Sequence, residues 1–186
     1  MPRSEPAAAD PATAGAGDGA PARRIVVMGV SGAGKTSVGV ALADRFGLDF
    51  VDADDLHPQA NVEKMRAGIA LTDDDRMPWL DLVGAALAEA RPPGVVVACS
   101  SLRRAHRDRL RATAPDAAFV ALEGDRALLA ERLGGRVGHF MPATLLDTQL
   151  AAYETPDADE RAVRVDVTEG VDEIAAAAAS ALERLG

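Results

Sequence analysis

The chain is expected to fold as an α/β domain on a parallel sheet, and three observations predict it. From residue 24 onward, short apolar segments alternate with helix-patterned ones. The apolar segments are short and hydrophobic, as strands are when helices cover both faces of a sheet. Between the first such segment and the first helix stands GVSGAGKT at 29–36, which fits G-x-x-x-x-G-K-[ST], the phosphate-cradling P-loop.

Strand segments are expected at 25–28, 49–52, 95–99, 117–122 and 162–167. Helices are expected at 37–46, 58–67, 78–90, 102–112, 126–133, 142–152 and 171–185. The alanine-rich run inside the last helix needs no function, since Ala is the best helix former. Residues 1–22 are mostly Ala, Pro, Gly and Asp, bury too little to repay their ordering entropy, and are expected to be a disordered tail. A transit peptide is a poorer reading of that tail, because it carries Glu5, Asp10 and Asp18 and little arginine. The domain proper is expected to span 23–186. Its 186-residue chain suits one core, filled by Ala, Val and Leu because aromatics are only 3%.

Composition narrows the function. A net charge of −9 argues against nucleic acid or an anionic membrane as the main partner. No apolar run is long enough to span a bilayer, and no apolar signal-peptide region stands near Met1. The single cysteine, Cys99, fits a reducing cytoplasm and reads as a small buried strand residue rather than a nucleophile.

In the loop, glycine permits the bend around a polyphosphate. Gly29, Ser31, Gly32, Ala33, Gly34, Lys35, Thr36 and Ser37 form the expected ATP site. Amides from Gly32 to Lys35 point at phosphate, Lys35 reaches the β- and γ-phosphates, and Thr36 is placed for Mg²⁺. The chain has only two lysines, Lys35 and Lys64, so a lysine here is not a casual surface choice.

Four further clusters carry polar chemistry. FVDADDLHP at 50–58 puts acids just past the second strand, at the sheet end that faces phosphate in this fold class. Asp52 and Asp54 share one face of extended chain. One can hold Mg²⁺ through water while the other aligns or deprotonates an acceptor hydroxyl, and Asp55 reads as a helix cap. TDDDRMPW at 72–79 reads as a capped helix start with Pro near the first turn and Trp79 in the core, with Asp73 or Arg76 turned to a polar substrate. RLGGRVGHF at 132–140 looks like a helix end running into a lid, about 134–142. There Arg132 and Arg136 can neutralise the transferring phosphoryl group. SSLRRAHRD at 100–108 follows the third strand, where many P-loop proteins carry an acidic metal ligand. Hydroxyls stand there instead, which puts more weight on Asp52. Arg103 suits an anionic substrate group, Arg104, Arg107 and Arg111 read as a helix coat, and His106 reads as a surface residue.

Together these segments resemble the gluconokinase family of small P-loop carbohydrate kinases. The resemblance rests on MGVSGAGKT at 28–36, VDADDLHPQANVEKMRAGIALTDDDRMPWL at 51–80, CSSLRRAHRDRLR at 99–111 and RVGHFMPATLLDTQ at 136–149. It implies a shikimate-kinase-like three-layer α/β/α fold with a five-stranded parallel sheet and a lid, and ATP- and Mg²⁺-dependent phosphorylation of D-gluconate at O6. It also implies a homodimer. Position by position, it implies that Asp54 meets the sugar-acid hydroxyls and that His57, Lys64, Arg76, Arg103 and His139 surround the acceptor. SSLRR stands where SALKK is common, LDTQ where LxSQ is common, and Ala53 where Gly is frequent.

Shikimate or nucleotide kinases on the same fold are the nearest rivals. The DDLHP and DDDR segments favour a polyhydroxy acceptor over a stacked base, for which aromatics are few. A nucleotide switch of the GTPase type would carry N-K-x-D, which is absent, and a degenerate scaffold would be expected to lose Lys35 or Asp54.

Overall fold

The structure, a computed structural model, describes residues 22–134 and 143–185, with the side chains of 143 and 144 left out. Five parallel strands lie in the order β2-β3-β1-β4-β5: β1 (Arg23–Met28), β2 (Asp49–Asp52), β3 (Gly94–Ala98), β4 (Ala118–Glu123) and β5 (Ala162–Asp166). The helices are α1 (Lys35–Phe46), α2 (Gln59–Arg66), α3 (Asp73–Ala88), α4 (Arg104–Thr113), α5 (Arg126–Gly134), α6 (Ala143–Ala152) and α7 (Val171–Leu185), with a 3₁₀ turn at Ala53–Leu56.

The pleat of β1 divides the core into two layers. Ile25 and Val27 pack with Val38 and Leu42 of α1 and with Ile174 and Ala178 of α7. Val26 and Met28 point the other way, to Trp79, Leu80 and Val83 of α3 and Leu110 of α4. Side chains alternate across a strand, so a central strand apolar on both faces needs helices on both sides. The result is the three-layer α/β/α sandwich expected from the sequence.

Most boundaries fall within two residues of expectation, and α3 is the exception. It begins at Asp73, five residues before the expected start at Pro78. Thr72 Oγ1 accepts from the Asp75 amide at 3.3 Å, and Asp75 Oδ2 accepts from the Thr72 amide at 2.9 Å. This reciprocal capping box satisfies two end amides, and three acids in the first turn favour the helix dipole. Pro78 therefore lies inside the helix, not near its first turn. It removes only the bond to the Asp74 carbonyl in the second turn.

The basic segment of α4 also differs from expectation. His106 is buried, and Arg107 is buried completely rather than coating the surface. Arg107 donates from Nε and Nη2 to the equally buried Glu160 at 2.6 and 2.8 Å, and from Nη1 to the Glu154 carbonyl at 3.0 Å. A buried guanidinium survives only with such a full set of acceptors. Arg111 also reaches Glu160, at 2.7 Å.

Candidate functional site

The loop after β1 and the ends of β2 and β3 meet at the carboxyl edge of the sheet. Gly29 comes so close to β4 that a Cβ there would lie 2.8 Å from the Leu122 carbonyl oxygen. Gly32 has φ +84°, and a Cβ on it would lie 2.8 Å from the Leu129 carbonyl oxygen of α5. Both positions require glycine, for space and for backbone conformation, since Gly29 too has a positive φ, +145°. Gly34 caps α1 without any side-chain hydrogen bond, and the first turn of α1 carries no acid. Such a helix start presents amides and a positive dipole end, which suits phosphate. Lys35 lies at this turn, with Nζ 3.2 Å from the Val30 carbonyl oxygen that it donates to. Ser31 donates its amide to Gln149 Oε1 of α6 at 2.7 Å. Ser37 lies exposed in the same first turn as Thr36.

Thr36 Oγ1 donates to Asp52 Oδ2 at 2.9 Å, and Asp52 Oδ1 accepts the Asp54 amide at 3.1 Å. Asp52 thus ends β2 and caps the 3₁₀ turn. Asp55, expected to cap a helix, lies exposed within the turn instead. A hydroxyl beside a carboxylate offers the hard oxygens Mg²⁺ prefers. Among the described residues no group of three or more His, Cys, Asp or Glu could hold a metal. One carboxylate is enough for Mg²⁺ where phosphates and water complete its shell. Asp54 is exposed beside this pair. Cys99, just past β3, is buried, and burial pushes its thiol up to about 11. Hydrogen bonds from Ser101 oppose that rise, the charge of Asp54 adds to it and that of Lys35 opposes it.

The remaining polar residues form a wall from α2, α3 and α4. His57 stacks on Trp79 with ring centroids 4.2 Å apart, and Trp79 Nε1 donates to the Ala53 carbonyl at 2.7 Å. Burial lowers the His57 pKa; Asp54 opposes that shift and Arg76 reinforces it. Lys64 donates to Asp75 Oδ1 at 2.6 Å, and this bond, first of all, holds the Asp75 carboxyl down at about 2. Asp73 accepts from Arg103 Nη1 at 2.7 Å, with Arg76 Nη1 3.6 Å from its other oxygen. Arg132 donates to the Glu169 carbonyl at 3.3 Å from the last turn of α5. Arg136 and His139, and nearly all of the expected lid, lie outside the described residues, as does the tail up to residue 21.

The structure therefore brings Lys35, Thr36, Asp52 and Asp54 to one edge and lines Asp73, Arg76 and Arg103 together beside His57. Sequence reasoning missed three residues here. Asn61 donates to the Asp75 carbonyl at 2.9 Å, and Asp75 itself fixes both Lys64 and the start of α3. Gln149, the last residue of the RVGHFMPATLLDTQ segment, reaches the P-loop from 118 residues away. A cavity of about 560 Å³ opens at the opposite, amino edge of the sheet, between Arg23, Phe46 and Arg161, and contains none of these residues.

Residues 25–156 match the model of a family described as AAA domain. The chain is 50% identical over 145 residues to a gluconokinase of Gluconobacter oxydans, covering 77% of this chain and 82% of that one. It superposes on the crystal structure of a gluconokinase from Sinorhizobium meliloti with a TM-score of 0.81 and 51% identity, over 88% of this chain and 93% of that one. A shikimate kinase from Aquifex aeolicus shares the fold alone, with a TM-score of 0.53 and 16% identity over 87% of this chain and 96% of that one. The fold is that of the shikimate-kinase-like P-loop enzymes, and the chain belongs to the gluconokinase family.

Proposed function

We propose that the chain is a gluconokinase that transfers the γ-phosphoryl group of ATP to the O6 hydroxyl of D-gluconate, giving ADP and 6-phospho-D-gluconate. The observation that carries this reading is the meeting of the P-loop with Asp52 and Asp54 on one sheet edge, next to a wall with two half-buried arginines. Family membership supplies the acceptor, since it is gluconokinases that the chain matches.

The residues divide the work as follows. The P-loop amides and Lys35 hold the β- and γ-phosphates. Thr36 and Asp52 are the residues that would hold Mg²⁺, directly or through water, and the bound ion neutralises phosphate charge. Asp54 orients the O6 hydroxyl and takes its proton as the new O6–P bond forms and the bond from Pγ to the β,γ-bridging oxygen breaks. Arg132 and Arg136 are assigned to the phosphoryl charge that spreads in the transition state. His57, Lys64, Asp73, Arg76, Arg103 and His139 surround the acceptor, with Lys64 acting from its bond to Asp75. A buried sugar-acid carboxylate is costly without a cation, which the arginines provide.

We assign the chain to the cytoplasm and to a homodimer, on the single buried thiol and on the resemblance respectively. Among the described residues no helix is long and apolar enough to cross a membrane.

The test is ADP release from ATP and Mg²⁺ with D-gluconate, shikimate, glycerate, AMP or water alone, with Lys35→Ala as control. Turnover with gluconate that the variant loses is expected. Turnover with a different acceptor only would move the substrate and keep the reaction.

A further inference from the structure

Asp73 holds one hydrogen bond where its position calls for two. Its Oδ2 accepts from Arg103 Nη1 at 2.7 Å. Its Oδ1 is buried and bonded to nothing. Two nitrogens face that oxygen, Arg76 Nη1 and His106 Nε2, each 3.6 Å away and both beyond hydrogen-bond length. His106 Nε2 is itself buried and without a partner. Buried polar atoms are nearly always paired, so two such atoms facing each other across a small gap need an explanation.

The three partners differ in exposure. The His106 side chain is 7% exposed, while those of Arg76 and Arg103 are 33% and 42% exposed. The arginines can reach a ligand, but the imidazole, in the first turn of α4 with its amide bonded to the Arg103 carbonyl at 3.1 Å, reaches only Asp73. Charge points the same way. Asp73 carries one negative charge against two arginines, and burial disfavours a protonated His106 although Asp73 opposes that. The cluster keeps one surplus positive charge, which one bound carboxylate cancels.

We propose that His106 is a positioning residue for the acceptor's carboxylate: as Arg76 and Arg103 turn from Asp73 to the sugar acid, the Nε2–H of His106 takes up the Asp73 oxygen. This rests on the gluconate kinase reading above. A movement of well under 1 Å closes the gap to hydrogen-bond length. Without that donor, releasing the arginines would strip Asp73 of its one hydrogen bond, at Oδ2, and take the Arg76 charge away from its buried Oδ1, so the arginines would be held back from the acceptor. The loss falls on acceptor binding and not on nucleotide binding or on the transfer step.

The test is steady-state kinetics on the full chain with His106→Phe and His106→Gln, alongside thermal unfolding. The phenylalanine variant is expected to raise the KM for gluconate roughly tenfold while the KM for ATP and kcat stay within about twofold. The glutamine variant, which restores an N–H donor, is expected to recover most of that loss. In the wild-type protein, gluconate without nucleotide is expected to shift the ¹⁵N resonance of His106 Nε2, a readout that needs no variant to fold. An unchanged gluconate KM in folded His106→Phe, an equal rise for both substrates, or an unmoved resonance at saturating gluconate would overturn the inference. Failure of the kinase reading looks different: the wild-type protein would then turn over no gluconate at all.

Discussion

Thr36 Oγ1 and Asp52 Oδ2 lie 2.9 Å apart and tie the first turn of α1 to the end of β2. Their contact makes one oxygen pair from two elements that are 16 residues apart in the chain. If this pair holds the metal, Asp52→Asn weakens the metal and not the acceptor. The Mg²⁺ concentration for half-maximal ADP release is expected to rise roughly 10–100-fold, with the gluconate KM little changed. An Mg²⁺ titration at fixed ATP reads this directly, and an unchanged midpoint would remove Asp52 from the metal site.

Asp54 lies beside that pair but bonds to it only through its amide. Its carboxylate is therefore left for the acceptor. Asp54→Asn is expected to lower kcat by roughly 10²–10⁴ while ATP affinity, measured by calorimetry, changes little. Near-normal kcat in the purified variant would take Asp54 out of the chemistry.

Gly32 tests whether the loop's shape matters apart from its charge. An alanine there would bring its Cβ to 2.8 Å from the Leu129 carbonyl and 3.0 Å from Leu133 Cγ, at φ +84°. Gly32→Ala is expected to weaken ATP binding at least about tenfold and to lower stability by about 1–3 kcal/mol of backbone strain. Calorimetric ATP binding equal to wild type would show that the loop tolerates a side chain there.

Glu160 sets the acid limit of the fold. Burial alone would raise its carboxyl, but hydrogen bonds from Arg107 and Arg111 outweigh burial and hold it at about 2, against an ordinary 4.5. Below 4.5 the unfolded chain takes a proton that the native carboxyl refuses. The stabilisation is therefore complete above 4.5 and is lost as pH falls toward about 2. Glu160→Gln is expected to cost about 3–5 kcal/mol at pH 7, because it leaves a buried arginine uncompensated, and to flatten the acid limb. Urea unfolding between pH 7 and pH 3 checks both.

What could be read from the chain was what is local. The P-loop, the Asp52–Asp54 pair and the five strands are contiguous patterns, and their spacing alone carries the geometry. The start of α3 is not legible from Pro78, a residue that in a helix usually marks the first turn, because Thr72 and Asp75 form the cap upstream of it. Arg107 read as surface because four arginines lie between 103 and 109, and its partner Glu160 stands 53 residues downstream. The burial of His106 is hidden for the same reason, as nothing near it in sequence announces that Asp73 of another helix lies 3.6 Å from its ring. Each of these misses is a contact between distant segments, which periodicity does not encode.

Trp79 is the chain's one tryptophan, and it lies ring to ring with His57 at the edge of the site. Its fluorescence therefore comes from a single place, with no background from other indoles. A ligand that displaces His57, or a proton that charges its ring, changes the emission of that one fluorophore. The fold thus carries its own optical probe of the acceptor side, readable in a cuvette without label, coupling enzyme or variant.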